Sequence, residues 1–67
     1  MLVMNSERVR ELREENGLSR RDLAYAARIS VSTVWRLERE RPVFFSTGRK
    51  VAGALGVRPS RDLGRVL

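Results

Sequence analysis

Apolar residues recur along this chain at spacings of three and four, and no segment alternates apolar with polar residues. That period is typical of short amphipathic helices that bury one side, and it gives no indication of a β-strand. The pattern therefore predicts an all-α fold of five short helices. Because no internal repeat or linker interrupts it, residues 1–67 are expected to form one domain.

Ser6 is the expected N-cap of the first predicted helix, because serine accepts hydrogen bonds from the free N–H groups of a helix start. Val9 and Leu12 give it an apolar stripe. The helix is expected to end at about Asn16, with Gly17 in the left-handed conformation that terminates many helices.

Residues 18–23 carry the signals of a second helix start. Ser19 and Asp22 fit the Ser-x-x-acid capping box, and Leu18 and Leu23 occupy the two positions of a hydrophobic staple. Both devices act between residues close in sequence, so they predict a helix that begins at Ser19 whatever packs against it.

The same start signal returns eleven residues later. Ser30 is the N-cap, and Ile29 and Val34 form the staple. Two starts this close leave only a short turn, around Arg28 and Ile29, between the helices. The sequence thus predicts a helix-turn-helix at about residues 19–39, an arrangement that can present its second helix to a DNA major groove.

Two further helices are expected beyond the helix-turn-helix. Pro42 ends its second helix or closely follows it. Ser46 is the expected cap of a fourth helix that runs to Gly56, and Pro59 suits the first turn of a fifth. That fifth helix would carry an apolar stripe of Leu63, Val66 and Leu67.

Charge and composition narrow the class of protein. The formal net charge is +6, and 13 of the 14 basic residues are arginine. Residues 1–18 carry a net −1 and residues 19–67 a net +7, which favours a polyanionic partner for the second part. Arginine also binds phosphates and guanine edges in a bidentate way that lysine cannot.

The absence of cysteine and histidine argues against metal sites, cofactors and enzymatic activity. The sequence has no disulfide, secretory signal or membrane span, so the protein is expected in the cytoplasm. It would be encoded by a prokaryotic cell or by a phage and would associate with the nucleoid.

Six segments of the chain share the order and approximate spacing of one known family. They are Arg10-Glu-Leu-Arg-Glu-Glu-Asn-Gly-Leu-Ser19, Asp22-Leu-Ala24, Ile29-Ser30, Thr33-Val34, Arg36-Leu-Glu38 and Val51-Ala-Gly-Ala-Leu-Gly-Val57. Over roughly residues 8–63, the chain thus resembles the Cro/CI-type helix-turn-helix family, also described as lambda-repressor-like or XRE-like. The resemblance implies a compact five-helix bundle that binds operator DNA, usually as a two-fold dimer.

Three features depart from the family pattern. The turn carries Arg28 where a glycine is usual, and a left-handed conformation there would cost roughly 1 kcal/mol. The stretch between Glu38 and Leu55 is about one residue short and contains the unusual Phe44-Phe45 pair. The sequence also ends after the fifth predicted helix, which resembles a stand-alone Cro-like or controller-type regulator.

The resemblance places Ser32 and Arg36 at the base-reading positions of the second motif helix. Arginine can donate two parallel bonds to guanine, and serine can donate to or accept from several bases. Val31 and Thr33 flank them: the valine could contact a thymine methyl group, and the threonine could bind a phosphate or support the helix cap. The alternative for each is an ordinary solvent-exposed side chain.

Phosphate contacts are expected from residues near the ends of the two motif helices. Arg20 resembles the family's phosphate clamp at a helix N-terminus. Arg39 and Arg41 follow the second motif helix. Trp35 shares the outer face, where it could lie against the DNA backbone, pack as a partly buried residue, or join a partner surface.

Glu38 and Arg13 correspond in the resemblance to a structural ion pair between the third and first helices. Two sets of apolar residues remain open between core and dimer interface. They are the Phe44-Phe45 pair and the predicted stripe of Leu63, Val66 and Leu67.

Taken together, these features predict a sequence-specific regulator that binds double-stranded DNA. It would be a small dimeric repressor reading an inverted repeat, although activation by the same fold stays open. An antitoxin-like or adaptor module with a protein partner is the alternative, motivated by Trp35 and the Phe44-Phe45 pair. An RNA-binding role has little support because no RNA-binding motif is present.

Overall fold

The computed structural model describes residues 1–67, which form four helices and one two-stranded sheet. None of the helices has the length and apolarity needed to cross a membrane. In chain order the elements are β1 (Leu2–Met4), α1 (Ser6–Glu15), α2 (Arg20–Ala27), α3 (Val31–Glu38), α4 (Phe45–Ala54) and β2 (Gly64–Val66).

The caps predicted for α2 and α3 are both present. The Ser19 hydroxyl accepts a bond from the Asp22 N–H at 3.0 Å, and the Asp22 carboxylate accepts one from the Ser19 N–H at 2.9 Å. At the next helix, the Ser30 hydroxyl accepts a bond from the Thr33 N–H at 3.1 Å. The helix-turn-helix prediction is therefore confirmed, since both helices begin where their local signals place them.

The turn between α2 and α3 keeps the left-handed conformation at Arg28, despite the cost that the sequence indicated. Its φ and ψ are 58° and 46°, a conformation that costs a side chain with a Cβ about 1 kcal/mol. The left-handed conformation closes the end of α2, because it allows two further backbone hydrogen bonds. The Arg28 N–H donates to Tyr25 O at 3.2 Å, and the Ile29 N–H donates to Ala24 O at 3.0 Å.

The core lies between the four helices and β1, and each of these five elements contributes to it. In α3 the core-facing residues are Val34 and Leu37, neither of which is exposed to solvent at all. Burying these two side chains fixes the rotation of α3 and leaves its opposite face outside. The thirteen core residues are Met4, Val9, Leu12, Leu23, Ala24, Ala27, Val34, Leu37, Val43, Val51, Ala52, Leu55 and Leu63.

Two predicted caps were wrong. The cap of α1 is Asn5, whose side chain accepts a bond from the Arg8 N–H at 3.1 Å, so Ser6 is the first helical residue instead. The predicted end of this helix is confirmed by Gly17, whose φ is +68°. The fourth helix begins at Phe45 with no side-chain cap, and Ser46 lies inside its first turn.

The fifth helix predicted after Pro59 is absent, and so the all-α fold with five helices was only partly right. The final segment forms β2, which pairs antiparallel with β1 in the register Leu2–Val66, Val3–Arg65 and Met4–Gly64. Leu2 also exchanges two backbone hydrogen bonds with Val43, at 2.9 and 2.8 Å. The chain therefore contains strands that its hydrophobic period did not indicate.

Long-range contacts explain why the last segment does not continue as a helix. The Leu63 and Gly64 N–H groups both donate to Ser60 O, so one helical turn forms and then stops. A Cβ at Gly64 would lie 3.0 Å from Val3 O, which is tighter than most Cβ contacts, so this close strand pairing favours glycine. A segment this short gains little from helix formation alone, and pairing with β1 satisfies its backbone instead.

The expected apolar stripe of the fifth helix is consequently split. Leu63 is buried in the core and is not available to a partner, which corrects its assignment to a dimer interface. Val66 and Leu67 are both more than half exposed. The side chain of Arg8 holds the preceding turn against α1 through a 3.0 Å hydrogen bond to Asp62.

Candidate nucleic-acid interface

The outer face of α3 and the residues after it form a cationic concave surface. Ser32, Trp35, Arg36 and Arg39 follow one another at helical spacing on the side opposite to Val34. Together with Arg41 they line a shallow depression of about 480 Å³. No acidic side chain lines it, so this depression suits an anionic partner.

Arg36 stands near the centre of this surface. Its side chain is exposed, and one guanidinium nitrogen, Nη2, donates to Pro42 O at 3.2 Å. That bond ties the helix to the segment that follows it. Because it is the only hydrogen bond of the Arg36 side chain, the other N–H groups are free to meet a ligand.

The other three residues expected to read bases lie in different surroundings. Ser32 is exposed beside Arg36. Val31 is partly buried and packs against the core, so only part of its side chain faces outward. The Thr33 hydroxyl lies 2.9 Å from the Ser30 hydroxyl, and it therefore supports the cap of α3.

Trp35 lies close to two arginine side chains. The guanidinium carbon of Arg20 is 4.2 Å from the ring centroid, and that of Arg39 is 5.7 Å away. Both distances fall within the range of cation–π attraction. The indole is 43% exposed, so it is neither a core residue nor a free side chain.

Glu38 joins three helices below this surface. Its Oε2 accepts from Arg13 Nε at 3.2 Å, and its Oε1 accepts from Arg20 Nε at 2.8 Å. Arg13 also donates to Leu18 O at 2.8 Å. The side chains of Glu38 and Arg13 are only 8% and 9% exposed. The structural pair implied by the resemblance is thus one half of a network that also holds a candidate phosphate-binding arginine.

Residues after α3 are fixed by a contact that sequence reasoning missed. Glu40 adopts a left-handed conformation, with a φ of 57°. Its carboxylate accepts from the N–H and the hydroxyl of Ser6, at 3.2 and 3.3 Å, across the N-terminus of α1. A carboxylate is favoured at this position by the helix dipole. The only signal in the sequence was an acidic residue among arginines, which does not specify a partner so distant along the chain.

The residues expected at a dimer interface lie away from the cationic surface. Phe44 and Val66 are each 68% exposed, and Phe45 and Leu67 are also classed as exposed. Phe45 and Val66 line a mostly apolar groove of about 260 Å³. The outer edge of β2 has no strand partner. These apolar residues form a surface that nothing in the monomer covers.

A sequence profile of the family described as helix-turn-helix domain matches residues 6–57 of the chain, which include all four helices. The chain belongs to this family. The match is consistent with the resemblance to Cro/CI-type proteins. It also indicates that the protein binds DNA, and families of this kind are typically not enzymes. No curated protein matches the chain significantly.

Proposed function

We propose that this protein is a sequence-specific transcriptional regulator that inserts α3 into the major groove of double-stranded DNA. The observation that carries the proposal is the division of α3 into two faces. Val34 and Leu37 are completely buried, whereas Ser32 and Arg36 are exposed on a cationic surface. A helix held rigidly by its inner face can offer its outer face to base edges.

Within the proposed interface, Arg36 and Ser32 read bases, and the outward part of Val31 contacts a thymine methyl group. Thr33 contributes from the edge of the surface, where its hydroxyl is shared with the helix cap. Arg20, Arg39 and Arg41 bind phosphates, which fixes the register of the protein without reading sequence.

We further propose that the protein acts as a homodimer. Support comes from the uncovered apolar residues Phe44, Phe45, Val66 and Leu67, which lie outside the cationic surface. A two-fold dimer would place two copies of α3 about 34 Å apart, one turn of DNA, and would read an inverted repeat. Sedimentation at high micromolar concentration tests this part, and a monomer there would contradict it.

The regulatory effect proposed is repression, in which an occupied promoter excludes the polymerase. Residues 1–67 would act as one DNA-binding unit in the cytoplasm of a prokaryotic cell, encoded either by the cell or by a phage. These assignments follow from the small, cationic helix-turn-helix and from the lack of cysteine.

Selection from a random pool of duplex DNA, at about 150 mM salt, is the experiment that tests the function. Salt at this level weakens binding that depends on phosphates alone. We expect an enriched inverted repeat. A pool without enrichment would contradict sequence-specific regulation.

The selected site then tests the role of Arg36. Arg36→Ala should cost about 1–3 kcal/mol of binding and relax the preference at one position of each half-site. Arg21→Ala is the matched control, because it removes an equal charge from an exposed residue of the neighbouring helix. Unchanged affinity and preference in Arg36→Ala would show that α3 is not the reading helix.

A protein-interaction module of the antitoxin or adaptor kind is the second candidate. The exposed Phe44-Phe45 pair is the observation that favours it. Salt separates the two functions: binding to DNA through several phosphates weakens steeply as salt rises, whereas an apolar protein interface hardly responds.

A further inference from the structure

The structure assigns to Trp35 a positioning role: its indole holds Arg20 and Arg39 in place as a phosphate-binding pair and does not itself bind DNA. This inference rests on the proposed function, because it concerns how the same surface grips a DNA strand. It departs from one of the three roles that the sequence left open for Trp35, in which the indole lies against the DNA backbone.

Two contacts hold the guanidinium group of Arg20. Its guanidinium lies 4.2 Å from the Trp35 ring centroid, while its Nε donates to Glu38 at 2.8 Å. The ring fixes one face of the guanidinium plane, and the carboxylate fixes one of its edges. Both terminal nitrogens of Arg20 make no hydrogen bond within the protein, so four N–H donors stay available in a fixed orientation.

The Glu38 carboxylate that binds Arg20 is itself held in place. Glu38 is only 8% exposed and is also bound by Arg13, so its carboxylate is not free to follow Arg20. Trp35 lies on the same helix, one turn before Glu38. A mobile arginine side chain loses considerable rotamer entropy when it binds a ligand. An arginine that is already stacked and hydrogen-bonded avoids most of that loss.

Arg39 also lies near the same indole. Its guanidinium carbon is 5.7 Å from the ring centroid, and its side chain makes no ion pair. Trp35 is therefore close to one arginine from the start of α2 and one from the end of α3. Because the ring is uncharged, it can hold Arg39 without the ion pair that Arg20 makes with Glu38.

A binding experiment with a labelled duplex of about 20 base pairs and arbitrary sequence tests this role. Binding to such a duplex depends on phosphates, so no operator is required. We expect Trp35→Ala to weaken it about threefold to tenfold at about 50 mM salt. Trp35→Phe should stay within about twofold of the wild type, because a phenyl ring keeps a face on which arginine can stack.

The decisive comparison repeats Trp35→Ala in a protein that already carries Arg20→Ala and Arg39→Ala. If Trp35 acts through these arginines, its removal has no further effect in that background. A loss as large as in the wild-type background would mean that the ring contacts DNA directly, which would overturn the inference. Tyr25→Ala is the matched control, since Tyr25 is an exposed aromatic residue with no arginine stacked on it.

A measurement without DNA separates this inference from the proposed function. Trp35 is the only tryptophan, so its fluorescence reports on this site alone. Two stacked arginines should concentrate iodide at the ring. Quenching by iodide should therefore fall in the Arg20→Ala, Arg39→Ala protein, while quenching by neutral acrylamide should not fall. Equal iodide quenching in the two proteins would overturn the arrangement.

The two failures can be told apart. A wild-type protein that binds no duplex even at low salt would refute both the proposed function and the role of Trp35. In a second case the wild-type protein binds DNA, and Trp35→Ala weakens binding equally in the wild-type and the Arg20→Ala, Arg39→Ala backgrounds. That result would refute the positioning role and leave the proposed function intact.

Discussion

The helix-turn-helix and the terminal sheet are built by different kinds of interaction. In α2 and α3, caps and staples act between residues at most five positions apart, and Ser19 and Ser30 mark the helix starts. In the sheet, β1 and β2 come from opposite ends of the chain, and their paired residues are 60 to 64 positions apart. The first region can be recognised in any window of the sequence, whereas the second depends on the whole fold.

This difference shows which parts of the structure a sequence pattern can predict. Local devices select the conformation of a segment, but each contributes only about 1 kcal/mol. The final segment has weak local preferences, so burial of Leu63 and pairing with Met4 decide its structure. Four substitutions test how far each region depends on local or on long-range interactions, beginning with the one expected to change stability most.

Glu38→Ala removes the long-range network from beneath the local helix-turn-helix. It leaves Arg13 buried without its carboxylate and should cost about 3–5 kcal/mol of unfolding free energy. Urea denaturation followed by far-UV circular dichroism measures the loss. Glu14→Ala, at an exposed position of α1, is the control. Equal stability of the two variants would mean that local caps alone hold these helices.

Leu63→Ala tests how strongly the terminal segment depends on the core. The substitution opens a cavity among buried residues and should cost about 2–5 kcal/mol. Leu67→Ala, at an exposed position of the same segment, should change stability by less than about 0.5 kcal/mol. Trp35 fluorescence and circular dichroism should report one common urea transition. Two separate transitions would show that sheet and helices fold independently.

Arg28→Gly tests the cost of the left-handed turn. Glycine adopts a φ of +58° without a Cβ clash, so we expect a gain in stability of up to about 1 kcal/mol. The midpoint of thermal unfolding measures this gain. Arg21→Gly is the contrasting control, because glycine inside α2 should destabilise by about 1 kcal/mol. A loss of stability in Arg28→Gly would show that the arginine side chain contributes more than the turn costs.

The smallest effect is the pH dependence of the α2 cap. The Ser19 backbone N–H, followed by the Ser19 side chain, holds the pKa of Asp22 below its ordinary value of 3.8. The contribution of ionised Asp22 is therefore fully present above pH 3.8 and is lost as the pH falls through the folded-state pKa.

Thermal unfolding of the wild type and Asp22→Asn at a series of pH values measures this contribution. The difference between them should shrink at acidic pH. Glu14→Gln, which removes a charge that makes no hydrogen bond, is the control. A difference that stays constant with pH would contradict the role of this cap.

Much of the site could be predicted because its residues follow from helical spacing. Once Ser30 fixes the start of α3, Val34 and Leu37 must face one way and Ser32 and Arg36 the other. The partnership of Arg20 with both Trp35 and Glu38 could not be predicted, because residues on different helices meet only when those helices pack. The contact between Glu40 and Ser6 escaped for the same reason.

Local sequence alone accounts for the helix-turn-helix, the turn at Arg28, and the arginines on the outer face of α3 and directly after it, since each depends on neighbouring residues or on residue type. Tertiary structure alone decided the sheet, the burial of Leu63 and the stacking of Arg20 on Trp35. The physical reason is that caps and helical spacing act within one or two turns of the chain. Strand pairing, core packing and contacts between helices act across segments whose meeting no local pattern encodes.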